Sequence, residues 1–265
     1  MNGSLTEARR YEFDCRGYLV IPGYLGADAV AEAVAAIDGR PGAGGGPAPL
    51  FPIMNLGGPF WDLLTRPLVM ELCRWALGDW FRFDHAYGLS RPASGDPSSN
   101  LHAGPFANQG SFQYQWHAGR PRCGLLVFGY TLEDGGDPLR VVPGSHKSGF
   151  DMAGRDLSAA MAGGADRHDL VETVVTAPGD LLVFTEALIH GPGPKPDNGR
   201  RRLTLYYKYA PGHMAWRDYE LIRDLVPLCR NDLERRLLRP PYVGRYLEDD
   251  RVMSADNRYR EPTLG

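Results

Sequence analysis

The apolar positions change their period once along the chain. Up to residue 77 they recur at helical spacing, and beyond about residue 80 they fall into short runs cut by Gly, Pro and Asp. Ala29, Ala33, Val34 and Ile37 mark one face of a helix over 27–38. Phe60, Leu64, Leu68, Leu72 and Trp75 mark another over 60–77, each with the three-to-four-residue recurrence of a core-facing helix. Ser4 followed by Glu7 reads as a capping box that opens a short helix ending near Cys15. Residues 17–22 read as a short strand, and 39–49 (GRPGAGGGPAP) as a surface loop with almost no side chains to pack. No Gly-Lys-Ser/Thr follows that loop, so it is not a phosphate loop. Strand-like runs over 81–90, 111–116, 123–132, 139–143, 170–176, 181–186 and 202–210 predict a β sandwich or barrel. A last helix is predicted over 216–238, interrupted at Pro227. Neither a repeat nor a linker divides the chain, so residues 1–265 read as one domain: helices over about 1–80, a β core over about 81–215, and a closing helix and tail over 216–265.

Composition narrows the class. The chain has 265 residues, 43% hydrophobic and 23% charged, ordinary for a soluble protein with a sizeable core. Its 33 glycines and 22 prolines favour many turns over a helix bundle. A net charge of −3 gives no expectation of a nucleic-acid polymer as partner. No run is apolar enough to span a bilayer, and residues 1–10 lack a signal-peptide core, so a cytoplasmic location is expected. The four cysteines form no Cys-x-x-Cys pair, which excludes zinc ribbons and thioredoxin chemistry. The only lysines are Lys147, Lys195 and Lys208; the other cations among the 29 are arginines.

Of seven histidines, His190 has the most telling setting. It ends the apolar run 180–189 and precedes the tight turn Gly191-Pro192-Gly193. Arg202 opens the next strand, RLTLYYKY, over 202–209. An imidazole and a guanidinium brought into one β pocket suit a metal ion together with a dicarboxylate. Imidazole ligates Fe(II), and the guanidinium fork takes a distant carboxylate in two parallel hydrogen bonds.

The runs DHAYGL (84–89), LHAGP (101–105), GRPRCGLLVFGYTLED (119–134), VVPGSHKSG (141–149), PGDLLVFTEALIHG (178–191) and RLTLYYKYAPGHMAW (202–216) resemble the phytanoyl-CoA dioxygenase superfamily. The resemblance covers about residues 10–220. It implies a mainly β fold with flanking helices and a double-stranded β-helix core (jelly roll, cupin-like). It also implies an Fe(II)/2-oxoglutarate oxygenase that uses O2. In that family two histidines and a carboxylate hold the iron, the first two ligands arriving as His-x-Asp or His-x-Glu. None of the seven histidines here is followed by that pattern; His102 and His117 each head a His-Ala-Gly instead.

Glycine in place of the acid is what iron halogenases of this superfamily show, with a halide at the vacated position. The resemblance therefore implies His102 and His190 as iron ligands and Gly104 as the chloride vacancy. It implies Arg202 on the far carboxylate of 2-oxoglutarate, with Arg201 as the other choice and Tyr130 nearby. Tyr114, Trp116 and His117 are expected to line the substrate, and His117 is the alternative proximal ligand. The implied activity is chlorination of an unactivated carbon of a small metabolite in natural-product biosynthesis. Arginines at 120, 122, 140 and 200–202 favour an anionic substrate such as a nucleoside monophosphate. Two alternatives stand beside it. One is a hydroxylase whose carboxylate comes from elsewhere, such as Glu186 or Asp84; the other is a jelly-roll binding protein without catalysis. Ser145-His146 lacks the Gly-x-Ser-x-Gly elbow of a hydrolase, and Asp134, Asp137 and Asp151 lack calcium-loop spacing.

Overall fold

The structure is a computed structural model, and it describes residues 4–40, 50–91, 101–102, 113–133, 138–148, 170–193 and 201–242. Helix α1 (Glu7–Arg16) is capped by Thr6, whose hydroxyl accepts from the Arg9 amide. The cap thus lies two residues beyond the predicted Ser4, because Thr6 is the residue with extended backbone before the first turn. Gly17 ends α1 in the left-handed region at φ 82°, and a Cβ there would stand 2.6 Å from Nδ1 of His146. Strand β1 (Tyr18–Ile21) and helix α2 (Ala27–Asp38) follow. The helix predicted over 60–77 is two, α3 (Gly58–Leu64) and α4 (Pro67–Leu77), since Pro67 lacks the amide hydrogen that would continue the first.

The β core confirms the jelly-roll expectation. One sheet has the strand order β1, β9 (Leu181–Thr185), β6 (Leu126–Glu133), β11 (Arg202–Pro211), β3 (Phe81–Arg91) and β2 (Leu50–Phe51). A second has the order β10 (His190–Pro192), β7 (Leu139–Val141) and β8 (Glu172–Val174), and His102 bridges His190 on the outer edge of β10. Strands β4 (Gln115–His117) and β5 (Arg120–Arg122) form a separate hairpin. All the paired strands are antiparallel.

Alternation assigns the two faces of the large sheet. Leu203, Leu205, Tyr207 and Tyr209 of β11 join the core packed against α2, α3 and α4. Tyr207 donates to Phe60 O at 2.8 Å and Tyr209 to Leu64 O at 2.6 Å, which ties the sheet to α3. The opposite face, with Tyr206 of β11, Val127 of β6, Leu182 and Phe184 of β9 and Tyr18 of β1, meets Leu139 and Val141 of the small sheet. That second interface is the barrel interior. The closing helix predicted over 216–238 is three short pieces: α5 (Glu220–Arg223), a 3-10 turn over Val226–Leu228 containing Pro227, and α6 (Asp232–Leu237). Among the described residues no helix is long and apolar enough to cross a membrane.

Candidate metal centre

The turn after β9 builds one side of the site. Thr185 O accepts from Leu188 N, and the Glu186 amide donates to Leu125 O, so residues 185–188 turn while remaining anchored to the sheet. Ser145 Oγ then accepts from Ile189 N at 2.8 Å, and the His190 backbone pairs with Val141 in register and exchanges two hydrogen bonds with His102 at 2.7 and 2.8 Å. These bonds leave little freedom in where Glu186, His190 and His102 emerge.

Their side chains converge. One ligand atom from each of His102, Glu186 and His190 lies within 4.8 Å of the other two. The two imidazole rings are 4.4 Å apart, and Oε1 of Glu186 is 3.8 Å from Nε2 of His190. Nδ1 of His190 bonds to Leu188 O at 2.7 Å. A hydrogen on Nδ1 then fixes the tautomer, and Nε2 carries the lone pair a metal needs. Phe184 packs 4.8 Å from the His190 ring. Burial holds the His190 imidazole down at about 4, so it is neutral and ready to ligate at neutral pH.

Lys208 completes the electrostatics. Its Nζ donates to Oε2 of Glu186 at 3.0 Å, with both side chains nearly buried. Burial alone would raise the Glu186 carboxyl, but the charge and hydrogen bond of Lys208 counter it, and the group lies below the ordinary range. Burial would lower Lys208, and Glu186 in turn holds it above its usual value. The pair is therefore charged on both sides. Two imidazole nitrogens and one carboxylate oxygen are the donor set of a mononuclear non-heme iron site. A separation of 3.8 Å lets one ion touch both Oε1 and Nε2 at ordinary ligand lengths of about 2.0–2.2 Å.

The remaining expected residues divide clearly. Gly104 lies outside the described residues. His117, the alternative proximal ligand, is exposed on β4 opposite Arg120 and takes no part in the cluster. Tyr114 and Trp116, expected beside the substrate, have their polar atoms on Oδ1 of Asp14 in α1, at 2.7 and 2.6 Å. Tyr130 points away from the interior: it packs against Tyr24 and Tyr207 and donates to Leu63 O at 3.2 Å, because alternation puts it on the helix side of β6. Arg201 is spent on Glu133 and Asp38, both at 2.7 Å, so it is not the carboxylate clamp. Arg202 is buried and shares strand parity with Thr204, Tyr206 and Lys208. Of the arginines thought to favour an anion, Arg120 lies 3.8 Å from Asp79 at the surface and Arg122 bonds Pro121 O. Lys208 was missed altogether, although a lone lysine inside an aromatic strand was its signal.

The phytanoyl-CoA dioxygenase profile matches residues 66–203, more than half of the chain and the whole of the cluster. The chain belongs to the phytanoyl-CoA dioxygenase family. Its members are Fe/2-oxoglutarate-dependent oxygenases, so the protein is an enzyme of that broad kind. Among solved structures it is similar to HygX from Streptomyces hygroscopicus with nickel and 2-oxoglutarate bound, at TM-score 0.67 and 24% identity over 81% of this chain and 91% of that one. HygX with nickel, 2-oxoglutarate and hygromycin B bound gives TM-score 0.65 and 25% identity over 80% and 90%. The non-heme alpha-ketoglutarate-dependent epimerase SnoN from nogalamycin biosynthesis gives 0.52 and 21% over 77% and 79%. No curated protein matched the sequence.

Proposed function

We propose that this family member is an Fe(II)/2-oxoglutarate-dependent oxygenase that oxidises a C–H bond of a small molecule, with iron held by His102, Glu186 and His190. The observation that carries it is the placement of Glu186. Position 104 has no acid, yet a buried carboxylate from the turn before His190 stands beside both imidazoles. Bound iron and 2-oxoglutarate together supply an oxidant made from O2. The protein's own part is to hold and shield. Leu188 O fixes the His190 tautomer, Lys208 holds Oε2 of Glu186 and leaves Oε1 to the metal, and Phe184, Val127, Tyr206 and Val141 keep the interior dry. Arg202, on the inward row of β11, takes the distal carboxylate of 2-oxoglutarate. HygX, solved with nickel, 2-oxoglutarate and hygromycin B, supports a small-molecule substrate here.

Chlorination is the second reading, and Gly104 favours it, since no side chain from that position would compete with a halide on the iron. The two readings part at Glu186. Anaerobic addition of Fe(II) and 2-oxoglutarate should give a visible charge-transfer band that Glu186→Ala abolishes and chloride does not alter. A band that survives Glu186→Ala and shifts with chloride would overturn the oxygenase reading in favour of the halogenase.

A further inference from the structure

A cavity of about 460 Å³ lies along the β3 edge of the large sheet, within the size range of small-molecule pockets. Phe51, Met54, Leu221 and Leu225 give it apolar walls, and His85 and Tyr87 line it from β3. Two of its lining residues reach the metal cluster through one intervening side chain, Lys208. His85 pairs in register with Lys208, the Tyr87 ring lies 5.9 Å from Nζ of Lys208, and that same Nζ holds Glu186.

His85 is held in place. Its Nδ1 is 2.6 Å from Oδ2 of Asp84. Asp84 is fully buried and also accepts from Arg82 Nη1 at 3.1 Å, Trp216 N at 2.8 Å and Arg217 N at 3.2 Å. A carboxylate fixed from three sides orients the ring, with the hydrogen on Nδ1 and the lone pair on Nε2. Burial, with Lys208 and Arg217 nearby, outweighs Asp84 and lowers the His85 imidazole, so the ring is neutral. The cavity wall at His85 therefore offers a desolvated acceptor. Lys208 is already matched by Glu186, and the charged lining residues Arg217 and Asp224 are opposite in sign. That chemistry selects a neutral hydrogen-bond donor rather than an anion.

We propose that this cavity is the substrate site, and that Nε2 of His85 accepts a hydrogen bond from a hydroxyl of a small alcohol with an apolar body. The proposal rests on the iron-oxygenase reading above and deepens it. The probes are 2-naphthol and 2-methoxynaphthalene, which share a ring system and differ in the donor. Both are titrated by fluorescence into the full chain loaded with Ni(II) and 2-oxoglutarate. The expected result is that naphthol binds about tenfold tighter, the value of one buried hydrogen bond, and that His85→Phe cuts the preference to within about twofold. Leu221→Trp, at an exposed position on α5, should block both probes even if His85→Phe does not fold. In a second arm, Mn(II) replaces Ni(II) and should broaden the proton resonances of bound naphthol, which places the cavity next to the metal. Equal affinities for the two probes, or binding unchanged by Leu221→Trp, overturn the proposal. If these fail while the Fe(II)/2-oxoglutarate band depends on Glu186, the substrate site is wrong and the oxygenase reading stands. If naphthol binds through His85 but Glu186→Ala leaves metal binding untouched, the cavity stands and the metal assignment falls.

Discussion

Lys208→Met removes the ammonium that faces Glu186 and keeps an unbranched chain of similar bulk. Glu186 is then left without its cation in a site where only 9% of its side chain is exposed, against 11% for Lys208. Breaking a buried ion pair by deleting one partner costs about 3–5 kcal/mol. For a chain of this size that is a fall in Tm of roughly 6–20 °C in the metal-free protein. A divalent ion supplies the missing positive charge on the other carboxylate oxygen, so part of the loss returns when metal binds. The assay is thermal unfolding with chelator and with excess Ni(II), on wild type, Lys208→Met and the double variant Lys208→Met/Glu186→Gln. Nickel should raise the Tm of Lys208→Met by more than that of wild type, and the double variant should recover much of the metal-free stability. An unchanged Tm in Lys208→Met, or equal nickel increments in the two proteins, would refute the view that Glu186 is a charged group shared between Lys208 and the metal.

Other expectations follow from the same geometry. His102→Ala and His190→Ala should each weaken Co(II) affinity by at least about 100-fold, more than loss of an outer-shell partner, whereas His117→Ala should leave a Co(II) titration unchanged. Arg202→Gln should weaken 2-oxoglutarate binding in calorimetry with Ni(II), and Arg201→Gln should not, because its guanidinium is held by Glu133 and Asp38. His146 is buried and held down to about 4 from an ordinary 6.5, so in the folded state it refuses a proton that the unfolded chain accepts. Stability should therefore fall as pH drops from about 6.5 towards 4, by up to about 3 kcal/mol for this group. His146→Gln should flatten that part of the urea-midpoint profile, and an unaltered profile would contradict it.

The strands and the inward histidine were legible because their signals are local. Alternation and the Gly-Pro-Gly turn act within a few residues, and His190 and Arg202 stand out against apolar neighbours. Helix boundaries were less so: Pro67 splits one expected helix, and Thr6 rather than Ser4 caps another. The expected place of Tyr130 beside the cosubstrate and the choice between Arg201 and Arg202 turn on one point. With a period of two, a single step along a strand reverses the face, and sequence alone did not fix which parity pointed inward. Glu186 stood out in the sequence only as one of two acids, with Asp84, that the hydroxylase alternative could recruit. Its role depends on a turn at 185–188 that folds it back on His190, and on Lys208 arriving from another strand, neither of which a motif scan encodes.

The most direct measurement is the crystal structure of the protein with Fe(II) and 2-oxoglutarate under anaerobic conditions with chloride present. The account predicts one oxygen of Glu186 on the metal at about 2.0–2.2 Å, together with Nε2 of His190 and a ring nitrogen of His102, while Lys208 keeps the other oxygen. A chloride ion on the metal, with Glu186 bonded only to Lys208, would contradict it.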